Sequence, residues 1–161
     1  MLPTEDAEMI GPMYQVITDI ERIGDIAKTI GNITETCYRK QYKLDESHKE
    51  DIKELLTLVD EEFGLSIDMF THKTMEHLNR ILKLEDDVDQ KEKKLQKTYQ
   101  RDIKRRLSKP REGMLYSDLV ASLERIGDHA TNIAFSILNE DSDEVRDLLE
   151  EEHVDTIEDV L

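Results

Sequence analysis

Leu123-Glu124-Arg125-Ile126-Gly127-Asp128-His129-Ala130 matches Ile20-Glu21-Arg22-Ile23-Gly24-Asp25-Ile26-Ala27, with Ile133 and Ile30 also in register. Such a match marks an internal repeat, one structural unit used twice. Around the second copy, Leu115, Leu119, Leu123, Ile126, Ala130, Ile133 and Ile137 trace one face of a helix expected over 111–138. Around the first, Met13, Val16, Ile20, Ile23, Ala27 and Ile30 alternate steps of three and four, on a helix expected over 12–38 after the turn-like Gly11-Pro12. Both motifs therefore lie mid-helix. In each, the carboxylates stand four residues apart and stack to one side of the apolar line: Glu21 with Asp25, Glu124 with Asp128.

That arrangement is costly in an isolated helix. Like charges at this spacing lose a few tenths of a kcal/mol, and Gly24 and Gly127 each lose about 1 kcal/mol relative to alanine. A glycine beside stacked carboxylates makes room for a ligand or a close helix, and two carboxylates on one face hold a hard cation. The bland alternative is a helix contact at the glycine with the acids facing water or the arginines. Duplication of the whole pattern favours the functional reading. Glu85 and Asp89 repeat the spacing on another helix, in line with Leu78, Leu82 and Ile103. Carboxylates on an apolar line need a partner or a coordinated ion. If that helix packs antiparallel to the one at 111–138, the acids Glu85, Asp89, Glu124 and Asp128 converge on an all-oxygen site.

The remaining punctuation completes the fold. Ser47 with Glu50 reads as a capping box ahead of Ile52, Leu55, Leu56, Val59, Phe63 and Phe70, a helix over 48–70. Thr71 to Thr74 reads as a reversal into a long helix over 74–107, ended by Ser108 to Pro110. No strand-length stretch alternates with period two, so the expected fold is all-α, an antiparallel helical bundle in one domain over 1–138. Residues 139–161 form an acidic tail, partly helical around Val145, Leu148 and Leu149.

The net charge of −16 over 161 residues excludes duplex nucleic acid as the main partner. Cys37 is the single cysteine and cannot form an intrachain disulfide, which fits a reducing, cytoplasmic setting. No apolar run reaches the roughly 18 residues of a spanning helix. Positive charge gathers between Lys91 and Arg111, a stretch suited to an anionic membrane surface or an acidic partner, though such runs are usually solvated faces. A ferritin-like di-iron enzyme needs Glu-x-x-His on two helices, and that spacing occurs only at Glu150 and His153. Phosphate loops, Cys-x-x-Cys pairs and nucleophile elbows are all missing from the sequence. The chain reads as a binding and regulatory protein, not an enzyme. His129 reads as a surface histidine or an outer ligand.

The Glu-Arg-Ile-Gly-Asp helices, the Glu85-x-x-x-Asp89 pair and the stretch from Tyr116 to Ala134 resemble the PhoU family. Arg101 to Leu107 is most similar to the cytoplasmic PhoU-like domain at the C-terminus of sodium-dependent phosphate cotransporters. The resemblance covers about residues 14 to 138. It implies a domain of two three-helix repeats, iron or zinc clusters held by Glu/Asp-x-x-x-Asp motifs, and control of phosphate uptake. The chain would supply one complete three-helix repeat and only the motif helix of a truncated first repeat. The acids Glu85, Asp89, Glu124 and Asp128 are then the expected ligands of a divalent or trivalent ion, with magnesium, calcium or manganese also compatible with oxygen donors. Glu21 and Asp25 are expected metal ligands by the same motif, at a site that lacks the companion helix that would complete it. The expected partner is a phosphate transporter or the membrane domain of a parent protein from which this domain was excised, placing it at the inner face of the cell membrane. An uncovered apolar stripe of Met13, Val16, Ile20, Ile23 and Ile30 predicts a homodimer through the first helices, the alternative being a monomer whose first helix closes the bundle.

Overall fold

The computed structural model describes residues 4–105 and 109–138. Four α-helices make up the chain there: α1 (Thr4–Lys40), α2 (Glu46–His72), α3 (Leu78–Lys104) and α4 (Pro110–Phe135). No strand occurs among the described residues, and the all-α bundle expected from the periodicity is formed. The helix expected in the tail lies outside those residues.

Helix boundaries depart from the sequence reading where backbone chemistry outweighs pattern. Gly11-Pro12 is not a turn; α1 runs straight through it. Proline forfeits one intrahelical hydrogen bond and its ring crowds the carbonyl four residues back, but the further clash with the Cβ of the preceding residue is absent because Gly11 has none. The cap of α2 is Asp45 rather than Ser47. Its carboxylate accepts from the His48 backbone N–H at 2.8 Å, and from the Ser47 hydroxyl at 2.9 Å. Lys73, in the left-handed conformation at φ 50°, ends α2 by donating its N–H to Met69 O. The reversal extends to His77, so α3 starts at Leu78. Pro110 opens α4 at a first-turn position, where its missing N–H is no loss.

Helix α4 is the hub, packing against each of the other three. Thr131 meets Glu62 in the C-terminal half of α2, and the Tyr116 ring lies 4.5 Å from that of His48 near the N-terminus of α2, so α2 and α4 run parallel. Ser117 donates to Gln96 at 2.6 Å, and Tyr99 packs beside Tyr116 with its hydroxyl donating to Pro110 O at 3.3 Å, so α3 runs antiparallel to α4. Between these three helices lies a core of Leu55, Val59, Val88, Leu95, Val120 and Leu123. Gly113 is needed for it: a Cβ there would stand 1.7 Å from the Tyr99 ring. Helix α1 is antiparallel to α4, tied by His129 Nδ1 at 2.8 Å from Asp19 Oδ1.

The apolar line expected on α1 is really two lines. Val16 and Ile26 are buried and Ile23 and Ile30 half-buried, whereas Met13, Ile17 and Ile20 are exposed. Steps of three and four fit both lines, so spacing alone could not separate the face on α4 from the open one. Helix α1 rests on α4 and does not close the bundle. No helix among the described residues is long and apolar enough to cross a membrane.

Candidate metal centre

Antiparallel packing of α3 on α4 sets Asp89 against the motif turn. Asp89, Glu124 and Asp128 each offer an oxygen, and all three lie within 4.8 Å of one another. Asp89 and Glu124 are half-buried and Asp128 is exposed. Such crowding is unfavourable without a counter-ion. Burial, then the charges of Asp128, Asp89 and Glu92, pushes Glu124 up to about 7; burial and Asp89 raise Asp128, against the pull of His129 and Arg125. Lys93, one turn beyond Asp89, answers part of that charge at 3.0 Å from its Oδ2.

A further carboxylate lies beneath the motif and was not singled out from the sequence. Glu62 of α2 is fully buried. Thr131 donates to its Oε1 at 2.6 Å, while Oε2 has no hydrogen-bond partner. Burial, with the charges of Glu85, Asp128 and Asp89, pushes Glu62 up to about 7 despite the Thr131 bond. The signal was present: Leu55, Val59, Glu62, Ser66 and Met69 step by threes and fours along the buried face of α2. Glu62 hid in the acidic run Asp60-Glu61-Glu62, which reads as a solvated surface.

Gly127 explains the geometry between these acids. A Cβ at Gly127 would stand 2.9 Å from Glu62 Oε2 and 3.5 Å from Val88 Cγ1, so the glycine lets α2 and its carboxylate press against the motif turn. Gly24, its counterpart on α1, has nothing within 4 Å. Glu85 falls outside the three-acid cluster, though its charge reaches Glu62. Glu21 and Asp25 lie exposed on α1 and join no such cluster among the described residues. His129 is neither a plain surface histidine nor within the cluster: it is half-buried against Asp19, whose other oxygen accepts from Gln15 at 2.9 Å.

The donor set fits a hard cation. All three converging groups are carboxylates, burial and then the neighbouring charges raise the proton affinity of Glu124 and Asp128, and a buried carboxylate oxygen below them lacks a partner.

A helical bundle, strand-free among the described residues and carrying duplicated acidic motif helices, defines a class of protein. The family model described as PhoU domain matches residues 52–137, and the chain belongs to the PhoU family. It is 31% identical over 134 residues to the phosphate-specific transport system accessory protein PhoU homolog of Synechocystis sp., covering 81% of this chain and 56% of that protein. It is 26% identical over 125 residues to the corresponding homolog 1 of Thermotoga maritima, covering 74% of this chain and 51% of that protein. The chain thus spans about half the length of the curated relatives it matches. No solved structure matches significantly. The family is one of regulators.

Proposed function

We propose that the chain is a PhoU-type regulator of phosphate transport that works by binding, with a hard divalent or trivalent cation held by Asp89, Glu124 and Asp128. The observation that carries the metal reading is the convergence of those three carboxylates from two packed helices. The link to phosphate transport rests on the family and on the names of the two relatives. Those relatives are accessory proteins, which favours a PhoU-type regulator over the narrower reading of a cotransporter's C-terminal domain.

When bound, the ion supplies positive charge that offsets the repulsion among the acids. The chain's own part is to fix them in place. Packing along Val88 and Leu123 holds α3 on α4, Gly127 keeps the turn close to α2, and Thr131 anchors one oxygen of Glu62. The site therefore stiffens the three-helix unit, and the rigid unit is what a partner would read.

One contact favours a second reading, a metal-free interaction scaffold: Lys93 already pairs with Asp89. Phosphate uptake tests the regulatory claim. Cells in which the region encoding this chain is deleted should take up phosphate differently at high external phosphate, and an Asp128→Asn with Glu124→Gln variant should resemble the deletion if the metal matters. Unchanged uptake in the deletion at both low and high phosphate contradicts the regulatory reading.

A further inference from the structure

One side of α3 carries positive charge alone from Gln90 to Arg105. Lys93, Lys94, Lys97, Arg101, Lys104 and Arg105 are all exposed and fall on the same side of the helix, a face about 18 Å long at 1.5 Å per residue. The acids of that span, Glu92 and Asp102, lie off it. Its first turns form a shallow groove lined by Gln90, Lys93, Lys94, Lys97, Thr98 and Arg101. Lys93 reaches back to Asp89, and Arg101 meets its neighbour Asp102 at 3.7 Å. Lys94, Lys97, Lys104 and Arg105 enter no ion pair among the described residues. Elsewhere basic side chains stand among acids. Arg22 lies between Glu21 and Asp25, Lys49 pairs with Glu46 at 2.6 Å, Lys53 with Glu50 at 3.6 Å and Arg80 with Glu61 at 2.7 Å.

The chain holds a complement to this face. Residues 139–161, outside the described residues, contain eleven aspartates and glutamates against one arginine, Arg146, and so carry ten of the sixteen net negative charges. They start where α4 ends, and Leu138 packs with Met69, Leu78, Ile81 and Leu82 beside the first turns of α3. Along α3 it is about 18 Å from Leu82 to Lys94 and about 28 Å to Arg101. A flexible segment of 23 residues has an end-to-end distance of about 25 Å and a maximum reach of about 75 Å. The acids from Asp147 to Glu152 are therefore within range of Lys94, Lys97 and Arg101, and attachment to the same chain supplies them at an effective concentration on the order of millimolar.

We propose that residues 139–161 dock on the basic face of α3, with Asp147 and Glu150 to Glu152 set against Lys94, Lys97 and Arg101. The remainder of the chain is itself net acidic and repels the segment, whereas this face gathers cations that no acid of the bundle answers. Exposed ion pairs are individually weak, so the contact is reversible and depends on several charges acting together. Docked there, the segment covers the face that an anionic surface or an acidic partner would otherwise meet, and such a partner binds only by displacing it.

Carbodiimide coupling of the full chain at low micromolar concentration tests the proposal. The reagent joins a carboxylate to an amine in contact with it, with loss of water, and the joined peptides are mapped by mass spectrometry in the monomer fraction. Acids of residues 139–161 should couple to Lys94 and Lys97 several-fold more than to Lys28 and Lys53, exposed lysines of α1 and α2. That preference should vanish in about 1 M salt, where the screening length falls to about 3 Å. Lys94→Glu with Lys97→Glu, with helicity checked by circular dichroism, should also remove coupling at Lys93 and Lys104. Adding Glu150→Lys with Glu151→Lys to that pair should restore coupling between the same two regions. Coupling spread evenly over the lysines of every helix overturns the proposal, as does coupling at Lys93 and Lys104 that the glutamate pair leaves unchanged. Coupling found only in a dimer fraction also overturns it and leaves the face to acids from another molecule.

Discussion

Glu62 Oε2 lies 2.9 Å from the point where a Cβ on Gly127 would stand, so the motif glycine of α4 and a buried carboxylate of α2 occupy adjoining space. The motif glycine of α1 has no such neighbour. The two glycines, alike in sequence, should therefore respond oppositely to alanine. Gly127→Ala forces Glu62 off its Thr131 hydrogen bond or pushes the helices apart, and should lower stability by roughly 1–3 kcal/mol, more than the helix-propensity gain offsets. Gly24→Ala should raise stability by up to about 1 kcal/mol. Urea unfolding of both variants decides, and equal effects would show that Gly127 is not a packing contact.

Glu62 also sets a pH dependence for the metal-free protein. Its folded value is raised from the ordinary 4.5 to about 7, so between those values the folded state holds a proton that the unfolded state releases. The associated stability is complete below about pH 4.5 and is lost as pH rises through about 7. Integrated over that window the loss reaches about 3 kcal/mol as an upper figure. Glu124 shifts the same way. Chelator-treated wild type should melt lower at pH 8 than at pH 5.5, and Glu62→Gln should flatten that difference. A melting temperature that rises over this range in wild type would contradict the assignment.

Asp45 acts in the opposite sense. Its carboxylate is held below the usual range chiefly by the His48 backbone N–H, so its contribution is present above the ordinary carboxylate value and is lost as pH falls through the lowered one. Asp45→Ala should destabilise the protein by about 1 kcal/mol, whereas Glu50→Gln, at the other end of the expected capping box, should change little. The same unfolding experiment distinguishes them, and a larger loss at Glu50 would restore the cap to Ser47.

What was legible in the sequence was whatever periodicity and duplication encode: four helices, two motif copies and the acids at Asp89, Glu124 and Asp128. Periodicity failed on α1, where two adjacent heptad lines fit the same steps and only contact with α4 shows which is buried. Pattern also misplaced ends governed by single residues, at Asp45 and at Gly11-Pro12. Glu62 was missed because an acid in an acidic run reads as solvated; only its place on the Leu55–Val59–Ser66–Met69 line marks it as interior.

Thermal melting with and without added cation tests the central claim most directly. Chelator-treated wild type is titrated with iron(II), manganese(II) or zinc(II) at neutral pH, beside Asp128→Asn with Glu124→Gln. A ligand bound by the folded state at 100 times its dissociation constant adds about 2.7 kcal/mol, roughly 5–10 °C for a chain of this size. The account predicts a rise of that order in wild type for at least one of these ions, and little or none in the double variant. Coincident wild-type curves with and without every ion, or equal rises in wild type and variant, would contradict a metal centre at Asp89, Glu124 and Asp128.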